Sequence, residues 1–364
     1  MFNIIYSPLL NTLLCVGVVI IVFLNYGNVF SNRQKGGTSY FTFWLFITLF
    51  AMFYCPEYGD SFNGSIDLAE YAATGIKGHY EDLYYLPLRF LPNNYYVWRF
   101  CVWGLAAFLL TVCYKTLNCP SQYATVIFLT VTLIPCFYYL RNSLGFALLY
   151  LAVILLLKEK QQTKLTFKTI LVSILLLVIS FFAHNSMPVY YLVVLLAFFC
   201  PFNYWTIIIS VLLYPFLHRF VPDFATAFLS QSYISDATSE LGLGYLSRDN
   251  TVNYNINGFI LLVLQFIPFF VVYFDALKKM KRDDNNYTIN KVFFQISYIL
   301  LYIALCFYQT ASNHLFLRFI NTCTLPMALV LVFYMFDKRS TKINKIFIGS
   351  IALYYLAYSI GFLI

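Results

Sequence analysis

Charged side chains are scarce in this sequence of 364 residues. Asp, Glu, Lys and Arg together make up 10% of it, whereas hydrophobic residues make up 61%. Soluble domains carry about 25% charged residues, because these cover the surface that faces water. The composition therefore excludes an ordinary soluble domain and predicts an integral membrane protein.

Motifs of several common chemistries are missing as well. The nine cysteines include no C-x-x-C pair and lie mostly in apolar runs, where cysteine usually acts as a small buried hydrophobe. The sequence contains no P-loop, no dinucleotide-binding glycine pattern, no H-E-x-x-H motif and no serine nucleophile elbow. We therefore expect neither a metal nor a nucleotide cofactor.

Long apolar runs dominate what the sequence does contain. A helix needs about 20 apolar residues to cross the hydrocarbon core of a bilayer. On that basis we predict an all-α fold, a polytopic bundle of about twelve spans in one membrane domain over residues 1–364. The stretch 121–157 allows two spans or one span with a re-entrant segment, and Pro135 and Arg141 favour a break. The predicted spans are 4–25, 40–55, 95–114, 121–138, 141–157, 167–183, 188–202, 204–219, 258–276, 292–310, 315–336 and 346–363.

Basic residues cluster on one side of these spans. If the segment with Arg33 and Lys35 is cytoplasmic, that side holds 16 basic and 5 acidic residues, a net charge of +11. The outer side holds 7 basic and 10 acidic residues, a net charge of −3. This orientation is the expected one, because Lys and Arg concentrate in cytoplasmic loops. The overall charge of +8 thus reflects topology and does not indicate a nucleic acid partner.

Two long loops, at about 56–93 and 220–257, fall on the outer side. The first is rich in acidic and tyrosine residues, and the whole sequence is 21% aromatic. Tyrosine favours membrane interfaces, and its ring face also suits the apolar face of a pyranose. Since long loops are usually functional or disordered, we expect these two to act as lids or walls of a site.

The two sides also differ in which basic residue they carry. The cytoplasmic set is 13 Lys and 3 Arg, whereas the outer set is 6 Arg and 1 Lys. Arginine binds phosphate or carboxylate through paired hydrogen bonds and stays charged when partly desolvated. Arg99, Arg141 and Arg318 lie at the outer ends of spans, where ionisable residues are functional candidates. Contact with lipid headgroups or loop carboxylates is the alternative.

His184 lies at the outer end of a strongly apolar run. Histidine can act as a general base near neutral pH, and it can also cap a helix through a hydrogen bond. Arg141, Asn142, His314 and Arg318 lie at a similar predicted depth, which favours a functional role. The acidic loop residues, Asp60 among them, offer a second source of a base, although loop carboxylates are more often only solvated.

Several short stretches occur in an order that is typical of a known family. The run Tyr139–Ala147 opens a span, and the apolar helix after the next lysine-rich turn ends in Ala183–Ser186. On the outer side Tyr58–Asp60 is followed by the pair Glu70-Tyr71, and Leu317–Phe319 enters a late span. In this order and character, the chain from about 50 to 340 resembles the EpsG/Wzy-like polysaccharide polymerases of bacterial envelopes.

The resemblance implies a GT-C-like glycosyltransferase in the bacterial cytoplasmic membrane that needs no cofactor. Such enzymes transfer an oligosaccharide from undecaprenyl diphosphate to a second lipid-linked unit, and so lengthen O-antigen, capsule or exopolysaccharide chains. The partners implied are these lipid-linked oligosaccharides, the bilayer, a flippase and a chain-length regulator.

The resemblance also assigns roles to residues of this sequence. Arg141 and Arg318, assisted by Arg99 or Arg89, are expected to bind the diphosphate and to stabilise its departing charge. His184 is the expected base, with Asp60 as the alternative. The expected sugar-binding residues are Tyr58, Glu70, Tyr71 and His314.

Other functions compete with polymerisation. A flippase for lipid-linked oligosaccharides would also need cations near a diphosphate, but such transporters usually have paired repeats and midplane charges. This sequence has no evident repeat, and its ionisable residues lie near the interfaces. A second alternative is a membrane O-acyltransferase or a ligase that attaches the glycan elsewhere, and a ligase would use much the same diphosphate chemistry. A scaffold protein is a third, although it would have little use for the outer arginines.

Overall fold

The computed structural model describes residues 8–30, 39–54, 95–133, 140–162, 165–184, 186–199, 203–231, 287–308, 313–336 and 341–363, with a few positions within 83–90 and 267–275. No strand occurs among these residues, so the all-α prediction is confirmed. The helices are α1 (Pro8–Phe30), α2 (Tyr40–Phe53), α3 (Tyr95–Thr116), α4 (Ser121–Ile127), α5 (Leu140–Gln162), α6 (Phe167–Ala183), α7 (Met187–Phe199), α8 (Tyr204–Gln231), α9 (Tyr287–Phe307), α10 (Asn313–Phe336) and α11 (Lys342–Leu363).

Four helices of the described part are long and apolar enough to cross a membrane. Their apolar stretches are Leu9–Gly27, Tyr96–Thr116, Tyr204–Asp223 and Thr288–Phe307. Shorter apolar helices occur at Tyr40–Phe53, Phe167–Ala183, Met187–Phe199 and Thr322–Met335. The 14 residues of α2 span about 21 Å at 1.5 Å per residue, less than the roughly 30 Å of a hydrocarbon core. These helices agree with a membrane protein, while twelve spans remain a prediction.

Helix α6 presents its apolar side chains outward and its polar ones inward. Leu171, Leu175 and Val178 are exposed, whereas Ser173 and Ser180 are buried. The Ser173 hydroxyl donates to the carbonyl of Ala152 on α5, 3.3 Å away. A soluble protein arranges a surface helix the other way round, with its apolar stripe towards the core. The surface of α6 therefore suits hydrocarbon better than water.

The chain divides into two compact units. Unit 1 comprises Met1–Leu192, Val271–Lys291 and Ala328–Ile364, and unit 2 comprises Val193–Phe270 and Val292–Met327. Within unit 1, α5 is the central helix, because its side chains from Phe146 to Ile154 are all buried. It packs chiefly against α6 and α3.

The first helices of unit 1 are joined by hydrogen bonds between residues far apart in the chain. The Trp44 indole donates to the Gly104 carbonyl over 2.9 Å and ties α2 to α3. The Tyr123 hydroxyl donates to the Val29 carbonyl and ties α4 to the end of α1. Helix α4 continues as a buried π-helical turn, Phe128–Thr132, which packs against α11. Residues 134–139, which contain the predicted break at Pro135, lie outside the described residues.

In unit 2, α8 is a 28-residue helix with Pro215 and Pro222 inside it. Over Tyr204–Asp223 it is apolar, and its side chains are mostly exposed, the others being half-buried except for the buried Pro222. This is the pattern of a helix that faces lipid. It makes polar contacts with α9 and with Tyr308, the residue that follows α9. The Tyr302 hydroxyl donates to the Ser210 carbonyl over 2.6 Å, and His218 Nε2 lies 3.0 Å from the Tyr308 carbonyl.

Candidate functional site

The candidate site lies at one end of unit 1, where α3 and α5 begin and α6 ends. The charge pattern of the sequence predicts that this end faces outward, so we call it the outer end. The inner end is the opposite one, where α3 and α5 finish and α6 starts. The predicted site residues Arg99, Arg141 and His184 all belong to the outer end.

Arg99 lies in the first turns of α3 and is 2% exposed. Its Nε donates to the carbonyl of Ala51, 3.0 Å away, in the last turn of α2. The last four carbonyls of a helix have no partner within it, and they form the negative end of its dipole. A guanidinium is a suitable donor there, since it stays charged when buried. This contact between α2 and α3 was not predicted from the sequence.

His184 ends helix α6 and is 7% exposed. Its backbone N–H donates to the Ser180 carbonyl over 3.2 Å, and its own carbonyl accepts from the Met187 N–H over 3.1 Å. The backbone thus has the capping role that the sequence allowed. The side chain is buried at the outer end of unit 1.

The turn His184–Met187 lies against the beginning of α5. The nearest atoms to Gly145 on α5 belong to the side chain of Met187, and the rings of Phe146 and Tyr190 meet edge to face with centroids 4.4 Å apart. Arg141 precedes Gly145 by four residues, which is about one helical turn. The contacts between α5 and the His184 turn thus begin about one helical turn after Arg141.

A small polar network holds α6 and α7 together beside this turn. The hydroxyls of Ser180 and Tyr191 lie 2.6 Å apart, and each lies 2.7 Å from the Leu177 carbonyl. Two hydroxyls have two protons for these three contacts. A chain in which Tyr191 donates to Ser180 and Ser180 donates to Leu177 uses both protons. Such bonds link helices in an apolar solvent, where water cannot replace them.

The remaining predicted site residues belong to unit 2 or lie outside the described residues. Arg318 and His314 lie in the first turns of α10, in unit 2. Asp60, Arg89, Tyr58, Glu70 and Tyr71 lie outside the described residues. Among the residues that are described, no group of three His, Cys, Asp or Glu side chains is arranged to hold a metal ion.

Asp275, which sequence reasoning did not single out, is a buried carboxylate of unit 1. Its Oδ2 accepts from the Tyr334 hydroxyl over 2.7 Å and from the Thr341 N–H over 2.9 Å. Thr341 directly precedes α11, so the carboxylate stabilises the start of that helix. The signal in the sequence was an acidic residue at the end of an apolar run, just before a lysine-rich loop.

The inner end of unit 1 carries a cavity of about 460 Å³. Lys115 is the charged residue of its lining, which also includes Tyr40, Asn118, Cys119, Pro120, Ser121 and Gln122. Burial raises the pKa of the Cys119 thiol to about 12, so the thiol stays protonated at neutral pH and is a poor nucleophile. This cavity therefore lacks a reactive nucleophile at Cys119.

Comparison with known proteins does not add a family to this picture, because no family model, no curated protein and no solved structure matches the chain.

Proposed function

We propose that this chain is a membrane polymerase of about twelve spans with a GT-C-like fold, acting at the outer face of the bacterial cytoplasmic membrane. It joins oligosaccharide repeat units carried on undecaprenyl diphosphate and so lengthens a surface polysaccharide. The observation that carries the proposal is the outer end of unit 1. There Gly145, which follows Arg141 by about one turn of α5, contacts Met187, and Met187 closes the turn that begins at the buried His184.

The reaction needs groups of these two kinds. The acceptor hydroxyl oxygen forms a bond to the anomeric carbon of the donor sugar, and the bond from that carbon to the diphosphate oxygen breaks. The proton of the hydroxyl passes to a base, for which His184 is the first candidate and Asp60 the second. The lipid diphosphate leaves with added negative charge, which Arg141 and Arg318 stabilise, with Arg99 or Arg89 assisting.

The apolar surfaces of the helices support a lipid-linked substrate. The outward faces of α6 and α8 are apolar, so a polyprenyl tail can reach the outer end of either helix without crossing water. The sugars extend into the outer loops, where Tyr58, Glu70, Tyr71 and His314 bind them. Aromatic rings suit this task because they match the apolar faces of pyranoses.

Replacement of the arginines tests this proposal. Strains that carry Arg141→Ala or Arg318→Ala are expected to accumulate single lipid-linked repeat units, because charge on the leaving diphosphate is no longer stabilised. Removal of one such hydrogen-bond donor typically lowers the rate by about 100-fold or more. The measurement is the length distribution of lipid-linked glycans on a gel.

Arg219→Ala is the matched control. It removes another outer arginine, which is exposed on α8 and has no assigned role, so long chains are expected to persist. Long chains in both Arg141→Ala and Arg318→Ala would contradict the site assignment. Purified protein that moves lipid-linked sugars across vesicles without lengthening them would instead identify a flippase.

A further inference from the structure

Gly145 lies at a close approach between α5 and the start of α7. A Cβ added to it would lie 2.6 Å from Met187 Sδ and 3.1 Å from Met187 Cγ, and real Cβ atoms essentially never come closer than 3.0 Å to a neighbour. Methionine is flexible and often yields to such a contact. Met187, however, is fully buried at 0% exposure, and in a closely packed interior its thioether can move only by displacing neighbouring side chains. An alanine at position 145 would therefore push the beginning of α7 away from α5.

This contact bears on the candidate site because Met187 belongs to the turn of His184. The hydrogen bond from the Met187 N–H to the His184 carbonyl closes that turn, so a shift of Met187 is passed on to His184. One turn further along α7, Tyr190 packs on Phe146, the neighbour of Gly145. Both contacts fix where α7 begins relative to the first turn of α5, which carries Arg141.

We propose that Gly145 is a positioning residue that sets the spacing between Arg141 and His184. The inference rests on the proposed function, since this spacing matters only if both residues act on one substrate. Displacement of a reacting group by about 1 Å can cost about 100-fold in rate. The lack of a side chain at position 145 is thus a requirement of the reaction as well as of the packing.

The test is polymerisation by purified protein in vesicles with a synthetic lipid-linked repeat unit. Gly145→Ala is expected to lower kcat by about tenfold or more, with a much smaller change in KM, because orientation is lost rather than affinity. Adding Met187→Ala removes the obstructing Cγ and Sδ. The double variant is expected to return to within about threefold of Met187→Ala alone, since the two positions are directly coupled.

Gly27→Ala is the matched control, because a Cβ at Gly27 meets nothing within 4 Å. Its kcat is expected to equal that of the unaltered protein, and rates are compared per amount of folded protein recovered after gel filtration. A Gly145→Ala protein with unaltered kcat would overturn the inference, and so would a loss that Met187→Ala does not relieve.

The outcomes separate this inference from the proposed function. If Arg141→Ala stops polymerisation while Gly145→Ala behaves like Gly27→Ala, only the positioning role fails. If the unaltered protein does not polymerise the substrate, the proposed function fails and the inference fails with it. If both arginine variants polymerise it normally, the polymerase function stands, but the site assignment fails and the positioning role of Gly145 fails with it.

Discussion

Charged side chains of unit 1 form hydrogen bonds with backbone groups at the ends of helices. Arg99 donates to a carbonyl in the last turn of α2, and the Lys158 ammonium donates to the last carbonyl of α3, Thr116. Asp275 accepts from the N–H that precedes α11. In an apolar solvent, each backbone N–H or carbonyl group without a hydrogen-bond partner destabilises the fold by roughly several kcal/mol. Charges at helix ends therefore stabilise the fold at the depths where water is scarce.

Glu159 has a comparable role at the inner end, beyond the apolar part of α5. Its carboxylate accepts from the Thr166 hydroxyl over 2.8 Å and from the Thr166 N–H over 3.1 Å, while Thr166 caps the start of α6. Desolvation raises the pKa of Glu159, but hydrogen bonds from Thr166 and Thr169 outweigh it and hold the pKa below its ordinary value of 4.5. The charged carboxylate thus joins α5 to α6.

This hydrogen bonding predicts a pH dependence of stability. Because the folded-state pKa lies below the unfolded one, the contribution is fully present above about pH 4.5 and is lost as the pH falls through the folded-state pKa. Thermal unfolding of the unaltered protein and of Glu159→Gln is the measurement. The difference in Tm is expected to be constant above that pH and to shrink below it. A difference that does not change with pH would contradict the prediction.

At the scale of the element, α6 exposes apolar side chains and buries its serines, which indicates that its outer surface lies in hydrocarbon. Leu175 lies at the middle of the helix and is 56% exposed, and Phe167 lies at its first residue and is 79% exposed. In water, a lysine would be tolerated at either position. In a bilayer, a charge at the helix centre costs about 3 kcal/mol, whereas a lysine near the end extends to the headgroups.

Leu175→Lys is therefore expected to reduce the yield of folded protein in membranes strongly, while Phe167→Lys leaves it near that of the unaltered chain. The yield is measured by gel filtration of a fluorescent fusion extracted with detergent. Equal yields from the two variants would mean that the exposed face of α6 does not lie in hydrocarbon.

At the scale of the whole molecule, the asymmetry of charge sets the orientation. The outer loops carry a net charge of −3 and the cytoplasmic ones a net charge of +11, by the assignment of spans made from the sequence. The predicted start of the second outer loop at 220 is wrong, because α8 continues to Gln231. The loop at 277–286 and the segment that follows α8, at about 232–257, should face opposite compartments.

Reporter fusions test this topology. A fluorescent protein that folds only in the cytoplasm is expected to fluoresce when fused after residue 283, and alkaline phosphatase is expected to be active when fused after residue 245. The reciprocal pair of fusions serves as the control, and both reporters should be silent. The same reporter active at both positions would contradict the predicted orientation, and with it the outer position of the candidate site.

Whether a segment enters the bilayer depends on the summed hydropathy of neighbouring residues, and the orientation of the spans depends on the summed charge of the loops. The sequence by itself therefore determined the helical class, the apolar helices, the shortness of α2 and the difference between the two faces. It also pointed to Arg99, Arg141 and His184 as residues at one end.

The tertiary structure decided which residues meet. The bonds of Arg99 to Ala51, Lys158 to Thr116 and Asp275 to Thr341 join positions 48, 42 and 66 residues apart, and the contact of Gly145 with Met187 crosses from α5 to α7. No local pattern encodes such pairs, because they depend on how helices pack. Whether a buried arginine caps a helix or whether a glycine makes room for a methionine follows from that packing alone.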